Sequence, residues 1–213
     1  MFITFEGGEG SGKSTQLARI SARLEAIGLR PLSVREPGGT PFAEAARALL
    51  LDGTHRPPAL AEAFLIQAAR ADLMRAVIAP ALALGSVVLC DRHTDSTLAY
   101  QGAGRGLDLD LLRAMNRAAT SGVAPDLTLL YDLDPAVGLA RRAAAPGSRN
   151  RLDQEPLEFH VRVRAGFLEL ARAEPARFVV LDGSLDPAAL EARAWAAVET
   201  RLSAQGPGAA RGR

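Results

Sequence analysis

The stretch FEGGEGSGKSTQ, Phe5 to Gln16, sets glycines, hydroxyls and one lysine at a spacing that can grip phosphate. Within it Gly7 to Ser14 fit G-x-x-x-x-G-K-[ST] in full. Gly7, Gly8, Glu9, Gly10, Ser11, Gly12, Lys13, Ser14 and Thr15 are therefore the candidate loop for a nucleotide's phosphates. In such a turn the backbone N–H groups converge on the anion, helped by the N-terminus of the helix that follows. Lys13 is expected to reach the β- and γ-phosphates and Ser14 to hold Mg2+. Of the 25 basic residues 24 are arginine, and Lys13 is the single lysine. Lysine is a compact point charge and arginine a broad fork, so this position is read as lacking room for a guanidinium. Glu9 is the anomaly, because a carboxylate aimed into an anion site is electrostatically costly.

Other residues could share this chemistry. Asp91, in CDRH (90–93), follows an apolar run and can hold Mg2+ through water. Arg92 beside it needs an anion, either a phosphate or a structural carboxylate. Arg35, Arg47 and Arg70 fall near other strand ends. One triphosphate does not need so many cations, whereas two phosphorylated substrates brought together against their repulsion do. That favours a kinase over a hydrolysing switch. RRAAAPGSRNRLDQE (141–155) carries Arg141, Arg142, Arg149 and Arg151 and reads either as an ordinary basic loop or as a lid over ATP. A lid arginine can stabilise the charge spread over a transferring phosphoryl group.

Strands and helices must alternate to position these groups. Apolar runs at 2–6, 31–36, 86–90, 126–133 and 177–182 read as strands. Helical periodicity covers 13–27, a segment to about Leu51, 59–85 with Pro80 either kinking it or starting a second set of turns, 94–101, 108–121, 135–145, 156–173 and 187–203. The alternation predicts an α/β fold with a parallel sheet covered on both faces. Ligands on such sheets sit at the carboxyl ends of the strands, where the motifs fall.

The chain of 213 residues suits one domain, 1–203, with a lid at about 143–155 and a tail, 204–213, of disordered composition. A net charge of +1 argues against a non-specific nucleic-acid or membrane-surface binder, and no apolar run is long enough to span a bilayer. Cys90 is the single cysteine, so no internal disulfide is possible; with no signal peptide read at the N-terminus, the cytoplasm is the expected compartment.

FEGGEGSGKSTQ, REPGGT, DRHTDSTLAYQG followed by GRG, PDLTLLYDLDPAVGLAR and NRLDQE, in this order, resemble the bacterial thymidylate kinases nearly end to end. The resemblance implies a three-layer P-loop kinase fold with a five-stranded parallel sheet flanked by helices and a small lid, and a homodimer. It implies transfer of the γ-phosphoryl group of ATP to dTMP, with Mg2+ held through Ser14 and Asp91. By motif position Arg47 and Arg92 hold the dTMP phosphate with Glu36 nearby, while Arg70, Ser96, Thr97 and Gln101 surround the thymine edge. Tyr100 lies under the sugar, where it crowds out a 2′-hydroxyl, and Glu9 accepts a hydrogen bond from the 3′-hydroxyl. Lys13, Arg92, Arg149 and Arg151 are the implied catalytic cations. Some members of the family carry an arginine directly after the acidic residue of the loop; here that position is Gly10, which sends the search to the lid, and to Arg151 in NRLDQE above Arg149. Two positions depart from the family. Ile66 stands where a phenylalanine usually stacks on thymine, so either Ile66 lies flat on the base or Phe64 reaches over it. His93 stands where tyrosine is more usual, as a neutral filler or a pH-sensitive contact. His55 and His160 read as plain histidines and Cys90 as an inert core thiol.

Overall fold

The structure, a computed structural model, describes residues 1–51, 55–144 and 150–204. Its centre is a parallel sheet of five strands: β1 (Phe2–Glu6), β2 (Leu32–Arg35), β3 (Val88–Asp91), β4 (Leu127–Asp132) and β5 (Phe178–Asp182), in the order β2-β3-β1-β4-β5. Every residue of β1 is buried, as a strand covered on both faces requires. Ile3, Phe5, Leu89, Leu129 and Tyr131 face α1 (Lys13–Ala26) and α9 (Pro187–Ala204), which supply Ile20, Leu24, Ala194 and Val198. On the opposite face Phe2, Val88 and Cys90 meet Leu73, Met74 and Ile78, and Leu130 meets Phe159, Val163 and Phe167 of α8 (Leu157–Ala173). The three layers match the expectation.

Neighbouring strands leave β1 on both sides, with β3 on one and β4 on the other. The carboxyl end of β1 is thus the topological switch point, where the sheet leaves a crevice for ligands. β3 includes Asp91, which the sequence reading placed just beyond the strand. Phe5 is in register with Asp91, and Arg92 N–H donates to the Phe5 carbonyl at 3.0 Å. The next residues of the two strands therefore emerge side by side.

The other elements are α2 (Pro41–Leu51), α3 (Ala59–Leu73), α4 (Ala79–Ala83), α5 (Thr94–Thr97), α6 (Leu109–Thr120) and α7 (Pro135–Ala144). The helix read over 59–85 is interrupted, and Pro80 lies in the first turn of α4, the second of the two expected alternatives. A π-helical turn, Met74–Ile78, separates α3 from α4, one turn ahead of Pro80. Proline lacks an N–H and its ring collides with the carbonyl four residues back; the widened turn accommodates both. A second π segment, Leu98–Gly104, extends α5 past the expected end and carries Tyr100 and Gln101. No helix among the described residues is long and apolar enough to cross a membrane.

Candidate active site

The loop after β1 turns through left-handed glycines, and Gly12, at φ 91°, opens α1 so that Lys13 is its first residue. Lys13 is buried. Its Nζ donates to the Gly8 carbonyl at 2.7 Å and approaches Ser11 Oγ at 3.3 Å. Burial, and then Arg92, lower its pKa to about 8 against the pull of Glu9 and Asp91. Ser14 Oγ donates to Asp91 Oδ2 at 2.5 Å, a direct consequence of the β1–β3 register. The cleft over this loop is lined by Glu9–Thr15, Asp91 and Arg92, and by Arg35, Arg47, Arg141, Arg142 and Asn150 on its other walls.

Glu9 turns its carboxylate across the loop. Arg92 Nη2 donates to Glu9 Oε1 at 2.8 Å, and the Tyr100 hydroxyl donates to the same oxygen at 2.8 Å. Arg92 also donates to the Gly7 carbonyl at 3.0 Å and lies over the Tyr100 ring, 4.9 Å from its centre. Burial alone would raise Glu9, but Arg92, Lys13 and the Tyr100 hydroxyl outweigh it and hold the carboxyl at about 2. Glu9 is a fixed anion pointed at the second chamber.

That chamber is lined by Glu36, Pro37, Ile66, Arg70, Arg92, His93, Ser96, Thr97, Tyr100, Gln101 and Leu152. It gathers every residue expected around the acceptor except Glu9 and Arg47, which line the adjoining cleft; Arg47 donates to the Pro37 carbonyl at 2.9 Å. Arg70 is fully buried and heavily bonded: Nε to Glu36 at 2.7 Å, Nη1 to Asn116 at 2.7 Å and Thr97 at 3.0 Å, Nη2 to the His93 carbonyl at 3.0 Å. Burial pushes Glu36 up, but Arg70 and His93 together hold it below the usual carboxylate range. His93 is buried, with Nδ1 at 2.8 Å from the second Glu36 oxygen and its ring edge on Phe2. Ile66 faces the chamber while Phe64 is 58% exposed on the outer side of α3, so the aliphatic side chain forms that wall.

The two lid arginines named from the sequence stand differently. Arg151, expected over the transferring phosphoryl group, is turned inward. It pairs with Glu62 of α3, and its Nε donates to the Leu50 carbonyl at 3.0 Å. A buried carboxylate on α3 demands a cation, and Arg151 with Arg105 supplies it. Arg149 lies outside the described residues, as do the centre of the lid and the tail from 205. Arg141 and Arg142 line the cleft, bonded to the Gly183 carbonyl at 2.9 Å and to Asp153 at 3.2 Å. Arg35 pairs with Glu44 at 2.8 Å on the surface. Cys90 is buried, its thiol pushed up chiefly by burial.

Three contributors escaped the sequence reading. Asn116 and Glu62 are polar side chains on core-facing helical positions, a signal that periodicity could have flagged. Gly138 of α7 packs against the phosphate loop: a Cβ on Gly10 would overlap the Gly138 carbonyl oxygen. An arginine at position 10 has no room against this backbone.

Two chambers that share Arg92, one built on a phosphate loop and one on buried arginine and acid, suit two phosphorylated substrates meeting end to end. Fold and site together define a P-loop nucleotide kinase. Comparison with known proteins narrows the class: a family model described as Thymidylate kinase matches residues 5–193, and the chain belongs to that family of enzymes. A thymidylate kinase of Deinococcus radiodurans is 55% identical over 201 residues, covering 94% of this chain and 97% of that protein. One from a Synechococcus species is 54% identical over 207 residues, covering 97% and 99%. The crystal structure of thymidylate kinase from Ehrlichia chaffeensis superposes with a TM-score of 0.78 at 33% identity, covering 93% of this chain and 98% of that one.

Proposed function

We propose that the enzyme transfers the γ-phosphoryl group of ATP to dTMP, giving ADP and dTDP on the route to dTTP. The observation that carries this reading is the Arg92–Glu9–Tyr100 cluster, which ties the phosphate loop to the second chamber. ATP lies on Gly7–Thr15. Lys13 exchanges the Gly8 carbonyl for a phosphate oxygen, which favours its ammonium form. The dTMP phosphate sits between Arg92 and Arg47. One of its oxygens attacks the γ-phosphorus in line while the bond to the β–γ bridging oxygen breaks. Ser14 and Asp91 present a hydroxyl and a carboxylate, the hard oxygen ligands that Mg2+ prefers, and the ion would neutralise phosphate charge there. Alignment of the two nucleotides can supply up to about 7–11 kcal/mol of the barrier. Lys13 and Arg92 provide fixed positive charge for the remainder.

Glu9 accepts a hydrogen bond from the 3′-hydroxyl of dTMP, and Tyr100 crowds a 2′-hydroxyl. Thr97, Gln101 and the Arg70 edge read the base, with Ile66 as its apolar wall. Arg151 fastens the lid to α3, and Arg149 is the lid cation for the transferring group. Phe42 and Leu49 of α2 and Leu60 and Phe64 of α3 are exposed, an apolar face of the kind that a homodimer covers. The cytoplasm is the proposed compartment. A panel of nucleoside monophosphates with ATP and Mg2+ tests the reading through ADP release. dTMP should give the largest stimulation; a response to another monophosphate alone would assign a different acceptor.

A further inference from the structure

Glu6, the last residue of β1, is fully buried, yet among the described residues no cation lies within ion-pair distance of it. Half-buried Glu9 pairs with Arg92, and the buried acids Glu36, Asp95 and Glu62 pair with Arg70, Arg177 and Arg105. A buried carboxyl without a counter-ion is favoured as the neutral acid. Its hydrogen bonds are specific. Oε1 accepts from His93 N–H at 2.7 Å and Ser96 N–H at 3.3 Å, and Oε2 lies 2.6 Å from Ser96 Oγ. Ser96 Oγ in turn accepts from Arg92 Nη1 at 3.3 Å.

These bonds grip the chain just after Arg92, whose φ of 69° is left-handed and uncommon for a non-glycine residue. Such a conformation persists only where its surroundings over-determine it. Resting on the proposed dTMP kinase reading, we propose that Glu6 is the positioning residue for Arg92 and works as a protonated acid. It clamps the backbone after Arg92, donates its proton to Ser96 Oγ, and sets no further negative charge against Arg92 beyond that of Glu9. With Glu6 neutral, the Ser96 hydroxyl hydrogen can turn to the chamber that Ser96 lines. With Glu6 ionised, that hydrogen is drawn back to the carboxylate, and a second negative charge stands beside Arg92.

The charged groups facing Glu6 are Asp95 of α5, itself held by Arg177, Arg92 after β3, and Lys13 of α1. Burial first, and Asp95 second, push the Glu6 carboxyl up to about 8, against Ser96, Arg92 and the His93 N–H. The group is therefore mostly protonated below that pH and ionised above it. A phosphate dianion in the chamber penalises ionisation further, so acceptor binding should draw a proton onto Glu6 in alkaline solution and weaken as pH rises.

The test is calorimetric titration of dTMP into the full chain without ATP, at about pH 7 and about pH 9, in buffers of differing ionisation enthalpy. The wild type should take up a proton at the higher pH and bind more weakly there, by up to about tenfold for each unit that the phosphate raises the group. Glu6→Gln keeps the clamp and can donate an N–H to Ser96; its affinity should lose this pH dependence. Glu6→Ala releases the Arg92 backbone and should bind weakly at both values. A wild type with no proton uptake and a flat affinity would overturn the inference without recourse to any variant. So would a Glu6→Gln protein with the wild-type alkaline decline. Absence of dTMP binding to all three proteins would overturn the proposed function itself.

Discussion

Gly10 of the phosphate loop and Gly138 of α7 meet backbone to backbone: a Cβ on Gly10 would strike the Gly138 carbonyl oxygen, and one on Gly138 would strike the Glu9 carbonyl oxygen. α7 ends at Ala144, where the segment proposed as a lid begins, so this contact keys that segment's stem to the phosphate loop. Gly138→Ala should shift the loop, because the obstruction is the Glu9 carbonyl rather than a movable side chain. The expected result is a KM for ATP raised at least severalfold with the fold retained, by steady-state kinetics and thermal unfolding. Gly10→Arg should not act as a substitute lid arginine, since its φ of 64° and the Gly138 carbonyl both oppose it.

Arg151 and Glu62 form a buried pair, and removing Arg151 leaves Glu62 only the longer contact to Arg105 and the Gln101 hydrogen bond. Arg151→Ala is expected to destabilise the protein by about 3–5 kcal/mol, read as a lower urea midpoint. The joint change Glu62→Leu with Arg151→Met should recover a good part of that loss. An Arg151→Ala protein of unchanged stability but much lower kcat would instead return Arg151 to the phosphoryl group.

Lys13 sits where burial and Arg92 press its pKa to about 8. Only the ammonium form attracts phosphate, so affinity for ATP should fall as pH rises through about 8 in the free enzyme, and ATP binding should take up a proton there. Lys13→Met should remove that dependence and cost orders of magnitude in turnover. Lys13→Arg should also fail: Nζ fits between Gly8 and Ser11 in a pocket that leaves 6% of the residue exposed. A Lys13→Arg enzyme of normal rate would contradict the steric reading.

Ile66 lines the acceptor chamber without an aromatic face. Stacked rings contribute about 0.5–1.5 kcal/mol beyond area burial. Ile66→Phe should therefore lower the KM for dTMP by roughly twofold to tenfold while leaving kcat close to the starting value. A raised KM would mean that the chamber is too full for the ring.

The strands of the parallel sheet and the phosphate-loop motif were legible because their signals are local. An apolar run ending in G-x-x-x-x-G-K-S fixes a strand, a turn and a helix at once. The grouping of Ser96, Thr97 and Tyr100 around one chamber came only through motif resemblance, since they have no distinguishing spacing of their own. What the sequence hid depends on long-range pairing. Nothing local ties Arg151 to Glu62, 89 positions away, or Glu6 to Ser96, 90 positions away. A basic residue in a polar loop reads as solvent-facing until the acid it must neutralise is located. The π-helical segments were hidden too, because they keep helical periodicity while shifting its register.

Transfer of phosphoryl from ATP to dTMP is distinguished from nucleotide-regulated hydrolysis by where the γ-phosphate ends. The most direct measurement follows γ-labelled ATP with dTMP and Mg2+ and separates the products. The label should appear in dTDP in step with ADP, with little free phosphate, and both should fall together in the Arg92→Ala protein. Label released as inorganic phosphate, at a rate indifferent to dTMP, would contradict it.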